Sequence, residues 1–227
     1  MSGLFVTATG TGIGKTLVTA AIARQLRRRG YGVRALKPVI TGFADGAPSD
    51  TALLLEAQGL QVTPAAVAAI SPWRFAPPVS PDVAAARAGR RLAAAEIAAF
   101  CRSMGRDGAT LLVEGIGGVM VPLNERDTVL DWIGAAGLPV LLVAGSYLGT
   151  LSHTLSAASV LAARGVPPVA VVVSESADSP MPLDETVAAL RRHLGETPVV
   201  ALPRLARGLD DWERAPDLSR FAIPQGH

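Results

Sequence analysis

The sequence has a single cysteine, Cys101, among 227 residues. That excludes an intrachain disulfide framework or a zinc site built on several cysteines, and it suits a reducing, cytoplasmic setting. The three histidines, His153, His193 and His227, are scattered, so a histidine-based metal centre is not expected. No apolar run approaches the roughly 18 residues that a membrane span requires. Neither a basic leader nor a cleavage site precedes Leu4-Phe5-Val6, which reads as a strand rather than a signal peptide. A charge excess is missing too. Twenty-one Lys and Arg stand against 19 Asp and Glu, and a formal charge of +2 is too small to indicate a nucleic-acid partner. The one basic run, Arg27-Arg28-Arg29, falls at an expected helix end, where cations favour the helix dipole. No repeat or linker divides the chain, so a single domain over residues 1–227 is expected.

What is present is a chain that is 49% hydrophobic, enough for a sizeable core. Short Val/Leu runs predict strands over 3–8, 33–39, 110–114, 139–144, 169–173 and 199–201. Helical patterns cover 14–29, 50–58, 81–100, 128–136, 150–164 and 183–194, with Gly89 a point where the third can break. Continuous rather than alternating apolar strands indicate burial on both faces. The fold class is therefore α/β: a doubly wound, mostly parallel central sheet with helices on both faces. From about residue 203 the chain turns polar and proline-dotted. Irregular structure is expected there, anchored by Trp212 and Phe221, with frayed last residues.

Between the first strand and first helix stands "TATGTGIGKT", Thr7 to Thr16. The usual phosphate loop reads G-x-x-x-x-G-K-[ST]. Here its leading glycine is replaced by Thr9, with Ala8 one place earlier. Gly10, Gly12 and Gly14 still let the backbone approach an anion and take positive φ, and a helix start adds its positive dipole end. Lys15 is placed to reach β- and γ-phosphates, and Thr16 to offer a hydroxyl to Mg²⁺.

Mg²⁺ also calls for carboxylates. Glu114 ends an apolar strand in "LLVEGIGG", where a buried acid must be paired or bound to metal. Gly115, Gly117 and Gly118 permit a tight turn beside phosphates. Asp50 in "SDTALLL" is a second candidate ligand, but Ser49 and Asp50 equally read as a helix N-cap. Lys37 in "LKPVITG" ends a strand at the same edge of the sheet as Lys15, either facing the cleft or snorkelling along the surface. Two lysines and Mg²⁺ around a γ-phosphate suit phosphoryl transfer, in which positioning and charge neutralisation dominate.

These segments together resemble the dethiobiotin synthetase family. "VTATGTGIGKT" is similar to the family's loop, which spaces its leading glycine from Gly-Lys-Thr by five residues, not four. "LKPVITG", "SDTALL", "FAPPVSPDVAA", "LLVEGIGGVMVPL", "LGTLSHT" and "LPRL" follow in family order from about Val6 to Leu205. The resemblance implies a P-loop NTPase-like fold and an ATP- and Mg²⁺-dependent ligase of biotin biosynthesis. Its substrates are 7,8-diaminopelargonate, CO₂ or bicarbonate, and ATP. The resemblance implies catalytic roles for Lys37, Lys15 and Thr11, and metal ligation by Thr16, Asp50 and Glu114. Nucleotide binding then falls to Gly10, Thr11, Gly12, Ile13, Gly14, Lys15, Thr16 and Leu17, with Ser174 and Pro203 on the base side. Substrate binding falls to Lys37 and Thr41 at the carbamate end, and to Gly149, Thr150, Leu151 and Ser152 at the far carboxylate, across a homodimer interface.

The sequence departs from the family at several positions. Ala8 stands for the leading glycine, Gly12 for an acidic residue of some members, Ser152 for Asn, and Asp82 for His after Ser80-Pro81. Ser174, followed by Glu175, stands where many members carry a base-reading Asn. A hydroxyl both donates and accepts, so relaxed nucleotide-base specificity is the expectation. Two rival classes share parts of this pattern. Nucleotide-switched partitioning or division-site ATPases carry a signature lysine five residues before the loop lysine, where this chain has Gly10, and often a basic amphipathic tail. Amidotransferase-linked ligases are commonly much longer and carry a glutaminase nucleophile.

Overall fold

A computed structural model describes residues 2–46, 49–105, 108–205 and 214–223. Its strands are β1 (Gly3–Ala8), β2 (Val33–Leu36), β3 (Val39–Thr41), β4 (Trp73–Phe75), β5 (Thr110–Glu114), β6 (Val140–Gly145), β7 (Pro168–Ser174) and β8 (Val199–Leu202). Its helices are α1 (Lys15–Arg28), α2 (Asp50–Ala57), α3 (Pro64–Ile70), α4 (Pro81–Arg87), α5 (Ala94–Met104), α6 (Val129–Ala136), α7 (Thr150–Ala163) and α8 (Leu183–His193). Six strands form one sheet in the order β2-β5-β1-β6-β7-β8, and every neighbouring pair is parallel. This is the doubly wound α/β arrangement that the apolar runs predict. Leu4, Phe5, Val6 and Ala8 of β1 are fully buried, and the Phe5 ring meets Trp132 of α6 edge-on at 4.9 Å between centroids.

The order of the strands puts the carboxyl ends of β1 and β5 side by side, with Val6 opposite Glu114 in register. Ligands of open α/β sheets bind at that edge. Beyond β1 the backbone runs into the glycine loop, and beyond β5 into 115–118, so both candidate phosphate-contacting loops leave the sheet together.

One strand differs from its predicted extent. The run 33–39 is two strands: β2 stops at Leu36, and Val39–Thr41 pairs instead with β4 in a separate two-stranded parallel sheet. Pro38 has no N–H to continue the ladder. The Lys37 N–H turns to the carbonyl of Ile70 at 3.1 Å, and Pro38 offers its carbonyl to Trp73 at 3.0 Å. Lys37 therefore sits on a step between two sheets. The helix predicted over 81–100 does break at Gly89, which has φ 64°, leaving α4 and α5. Helix α3 and strand β4 had no predicted counterpart. Seven and three residues are too short for a clear period, although Thr63 caps Ala66 N–H at 3.1 Å with Pro64 at the first helical position. In the tail, residues 214–223 lie along α1. Gln25 accepts from the N–H groups of Leu218 and Ser219, and Arg29 pairs with Asp217. Phe221 is half-buried there; Trp212 and residues 224–227 lie outside the described residues.

The edge strand β2 is closed by a side chain. Gln58 Oε1 accepts from Ala35 N–H at 2.8 Å, and its Nε2 donates to Ala35 O at 3.1 Å, mimicking a further strand. Replacing it by an isosteric apolar residue, Gln58→Leu, orphans two buried backbone groups. At roughly 1–3 kcal/mol each, partly relieved by relaxation, the expected loss is about 2–4 kcal/mol in urea denaturation. A loss below about 0.5 kcal/mol would mean that β2 does not depend on this cap.

Candidate functional site

Ala8 is fully buried at the end of β1, and among the described residues no non-glycine has positive φ. The leading position of the loop therefore needs a small side chain and carries no backbone strain. Ala8 O accepts from Val119 N–H at 3.1 Å, and a Cβ on Gly118 would stand 3.0 Å from Thr9 O. Smallness on both sides lets the two loops touch. The left-handed turns are at Gly12 (φ 74°) and Gly14 (φ 97°). Gly10, expected to share that role, does not take positive φ; its carbonyl instead accepts from Lys15 Nζ at 2.8 Å. Helix α1 opens at Lys15 with glycine as its N-cap, no capping side chain and no acid in its first turn. Its first N–H groups have no intrahelical partners, which makes the terminus an anion site.

Lys15 and Lys37 are the only two lysines of the chain, and both are buried in this cleft. Lys15 Nζ bridges the loops by donating to Gly10 O and Gly117 O, each at 2.8 Å. Lys37 Nζ lies 2.5 Å from Glu114 Oε1 and 3.1 Å from Asp50 Oδ2. Thr16 donates its hydroxyl to the same Glu114 Oε1 at 2.8 Å, and Glu114 Oε2 is buried without a partner. The N-cap of α2 is Ser49, whose hydroxyl accepts from Ala52 N–H at 3.2 Å, so the Asp50 carboxylate is free to face Lys37. Burial, then the neighbouring Lys37 charge, pushes Lys15 down to about 8. Burial opposes the charge on Lys37 as well, but Glu114 and then Asp50 outweigh it, and its pKa is raised.

A cleft of about 310 Å³ gathers Thr11, Lys15, Thr16, Lys37, Thr41, Asp50 and Glu114. Two carboxylates and one hydroxyl meet there, one carboxylate oxygen being an orphan. Among the described residues no group of three or more His, Cys, Asp or Glu could hold a metal alone. That donor set fits Mg²⁺, which keeps several waters and shares phosphate oxygens. Ile13 and Leu17 pack against the core, below the loop.

Other candidate residues lie elsewhere along the same edge. Ser174 ends β7 against the glycine loop: a Cβ on Gly14 would stand 2.7 Å from Ser174 Oγ. Pro203 directly follows β8. Gly149, Thr150, Leu151 and Ser152 start α7 outside the lysine cleft. Gly149 is an uncapped N-cap at φ 94°, and the first turn has no acid. The Thr150 hydroxyl is taken by Gly145 O at 2.7 Å. His153 lines a neighbouring groove with Thr9, Gly10 and Thr11, and its Nδ1 is 2.9 Å from Tyr147 Oη. Tyr147 carried no sequence signal; a lone aromatic after a strand belongs to no motif. Cys101 lies in the core, where burial pushes its thiol up to about 12.

A family model described as an AAA domain matches residues 2–207. The ATP-dependent dethiobiotin synthetase BioD of Methylobacterium nodulans is 52% identical over 203 residues, covering 86% of this chain and 90% of its own length. The enzyme of that name from Acidiphilium cryptum is 51% identical over 203 residues, covering 87% and 91%. That from Anaeromyxobacter dehalogenans is 39% identical over 229 residues, covering 100% and 96%. Among solved structures, the MinC:MinD cell division complex of Aquifex aeolicus aligns with TM-score 0.56 at 13% identity, over 94% of this chain and 86% of that one. A ParA family ATPase from Chlorobium tepidum aligns with TM-score 0.53 at 10% identity, over 100% and 95%. These two likenesses are of fold.

The lowered pKa of Lys15 sets a pH dependence. Below about pH 8 the folded, ligand-free protein carries a buried charge that the unfolded chain solvates. Between about 8 and 10.5 the unfolded state binds more protons at this site, so stability rises with pH. Lys37, raised above 10.5, contributes no loss in that window. Urea denaturation of the metal-free wild type relative to Lys15→Met is expected to show a gain of roughly 1–3 kcal/mol from pH 8 to pH 10.5. The Cys101 titration is common to both proteins and cancels. A flat or falling difference would contradict the burial of a charged Lys15.

Proposed function

The chain belongs to the ATP-dependent dethiobiotin synthetases, and on that footing we propose how its residues divide the reaction. It is a ligase of biotin biosynthesis. An amine of 7,8-diaminopelargonate captures CO₂ as a carbamate. The carbamate oxygen takes the γ-phosphoryl group of ATP, releasing ADP and giving a mixed carbamic–phosphoric anhydride. The second amine attacks the carbonyl carbon, closes the ureido ring and expels phosphate.

The observation that carries the assignment of roles is the meeting of the two lysines with Glu114 and Thr16 at the mouth of the glycine loop. The loop N–H groups and Lys15 cradle the β- and γ-phosphates, Lys15 and Lys37 stabilise charge on the transferring group and the carbamate, and Thr11 contacts that end. Thr16, Asp50 and Glu114 would hold Mg²⁺, which would supply Lewis-acid neutralisation of phosphate charge. Lys37, held between Glu114 and Asp50, would present its ammonium to the carbamate. Thr41 lies at the same end. The uncapped start of α7 suits the far carboxylate of the substrate through Gly149, Thr150, Leu151 and Ser152. Leu148, 85% exposed, and Met120, 55% exposed, flank this region and support a homodimer that completes the site. A cytoplasmic enzyme fits the single buried thiol, and among the described residues no helix is long and apolar enough to cross a membrane. Ser174 and Pro203 border the base; the Ser174 hydroxyl supports tolerance of other bases.

Incubation with diaminopelargonate, bicarbonate and Mg-ATP is expected to yield dethiobiotin by mass spectrometry. Lys37→Gln is expected to lower kcat on the order of 10²–10³-fold, as loss of one transition-state donor does, with an unchanged circular dichroism spectrum. Absence of product from folded wild type would overturn the function, and wild-type turnover in the variant would remove Lys37 from the chemistry. CTP and GTP at equal concentration are expected to support turnover within about tenfold of ATP, a gap near 1.4 kcal/mol; strict ATP preference would contradict the reading of Ser174.

A further inference from the structure

Gly145 and Ser174 are the last paired residues of β6 and β7. Beyond them one segment leads to the start of α7 and the other to α8. They are tied by a closed ring of hydrogen bonds just past the sheet. Ser146 N–H donates to Ser176 Oγ at 3.0 Å, and Ser176 N–H donates to Ser146 Oγ at 2.9 Å. Ser179 adds a third tie, its hydroxyl donating to Ser146 O at 2.8 Å. The approach is close enough to require glycine at 145. A Cβ there would stand 2.7 Å from the Tyr147 ring and 2.9 Å from Ser176 Oγ.

We propose that Ser146 and Ser176 are a positioning pair that fixes the start of α7 relative to the nucleotide site. The inference rests on the reading of Gly149–Ser152 as the carboxylate-binding end of the substrate site. Its basis is an asymmetry between the two loops. The segment after β7 is held independently of the ring: Glu175 N–H donates to Leu202 O at 2.9 Å, and Glu175 Oε2 accepts from Arg204 N–H at 2.8 Å. The segment before α7 has mostly internal bonds. Thr150 donates to Gly145 O through its hydroxyl and to Tyr147 O through its N–H, and Tyr147 Oη meets His153. Those bonds shape the turn, while buried Thr150 and core-packed Leu151 seat the helix behind it. Apart from the serine ties, the hydrogen bond from this turn to another loop among the described residues is Tyr147 Oη to Thr9 Oγ1, at a long 3.5 Å. Loss of the ring therefore loosens the α7 terminus and spares the nucleotide side.

The test is Ser176→Ala, with Ser176→Thr as the conservative variant that keeps the hydroxyl oxygen. Loss of one such bond is expected to raise KM for diaminopelargonate about 5–10-fold, leaving kcat and KM for ATP within about twofold. Amide hydrogen exchange over residues 146–150 of the free protein is expected to speed up at least about 5-fold, and Ser176→Thr is expected to restore both readouts. Unchanged KM and unchanged exchange would overturn the proposal, as would an equal rise in KM for ATP. If wild type makes no dethiobiotin, the functional reading fails, while the exchange comparison still decides whether the pair positions the loop.

Discussion

The site depends on one carboxylate. Glu114, fully buried at the end of β5, shares a single oxygen between the Lys37 ammonium and the Thr16 hydroxyl and leaves the other without a partner. A buried acid in this setting is sustained only by opposite charge. Lys37 provides it, and Asp50 balances Lys37 from the first turn of α2. Lys15, beside them, has two carbonyls as partners and, among the described residues, no carboxylate within salt-bridge distance. Burial, and then the neighbouring Lys37 charge, lowers its pKa, and phosphate is the kind of ligand that would relieve it. The cleft is thus built with its charges in place for an anion and a cation that bind together.

The sheet supplies the precision. β1, β2 and β5 are neighbours, and their carboxyl ends deliver the glycine loop, Lys37 and Glu114 to one point. β1 and β5, buried along their whole length, hold these ends in place, while the loops beyond them carry the contacts. The same scaffold serves MinD and ParA proteins, so fold alone does not select the chemistry. What distinguishes this chain is local. At the fifth residue before the loop lysine stands Gly10, whose carbonyl receives the chain's own Lys15.

Much of this was legible in the sequence because the relevant signals are short-range. The glycine loop, the apolar strand ending at Glu114 and the strand–helix alternation are all written within a dozen residues. Asp50 was ambiguous for a physical reason: Ser and Asp are both good caps, and only the observed bond from Ala52 N–H to Ser49 decides between them. The step at Lys37–Pro38 was read as one strand because valines and leucines continue across it; the separation follows from pairing with β4, about 35 residues later, which no local pattern encodes. Gly10 is expected to take positive φ and instead serves as an acceptor for Lys15. The Ser146–Ser176 ring was invisible, since two serines 30 residues apart become reciprocal partners only when β6 and β7 lie side by side.

The central proposal is that Glu114 would hold Mg²⁺ for the nucleotide while the Lys37 ammonium would serve the substrate. Calorimetric titration of ADP into wild type and Glu114→Gln, with and without Mg²⁺, tests it most directly. The account predicts that Mg²⁺ strengthens binding to wild type by at least about tenfold, that the variant loses this gain to within about twofold, and that metal-free binding survives the substitution. An equal Mg²⁺ effect in both proteins would contradict it.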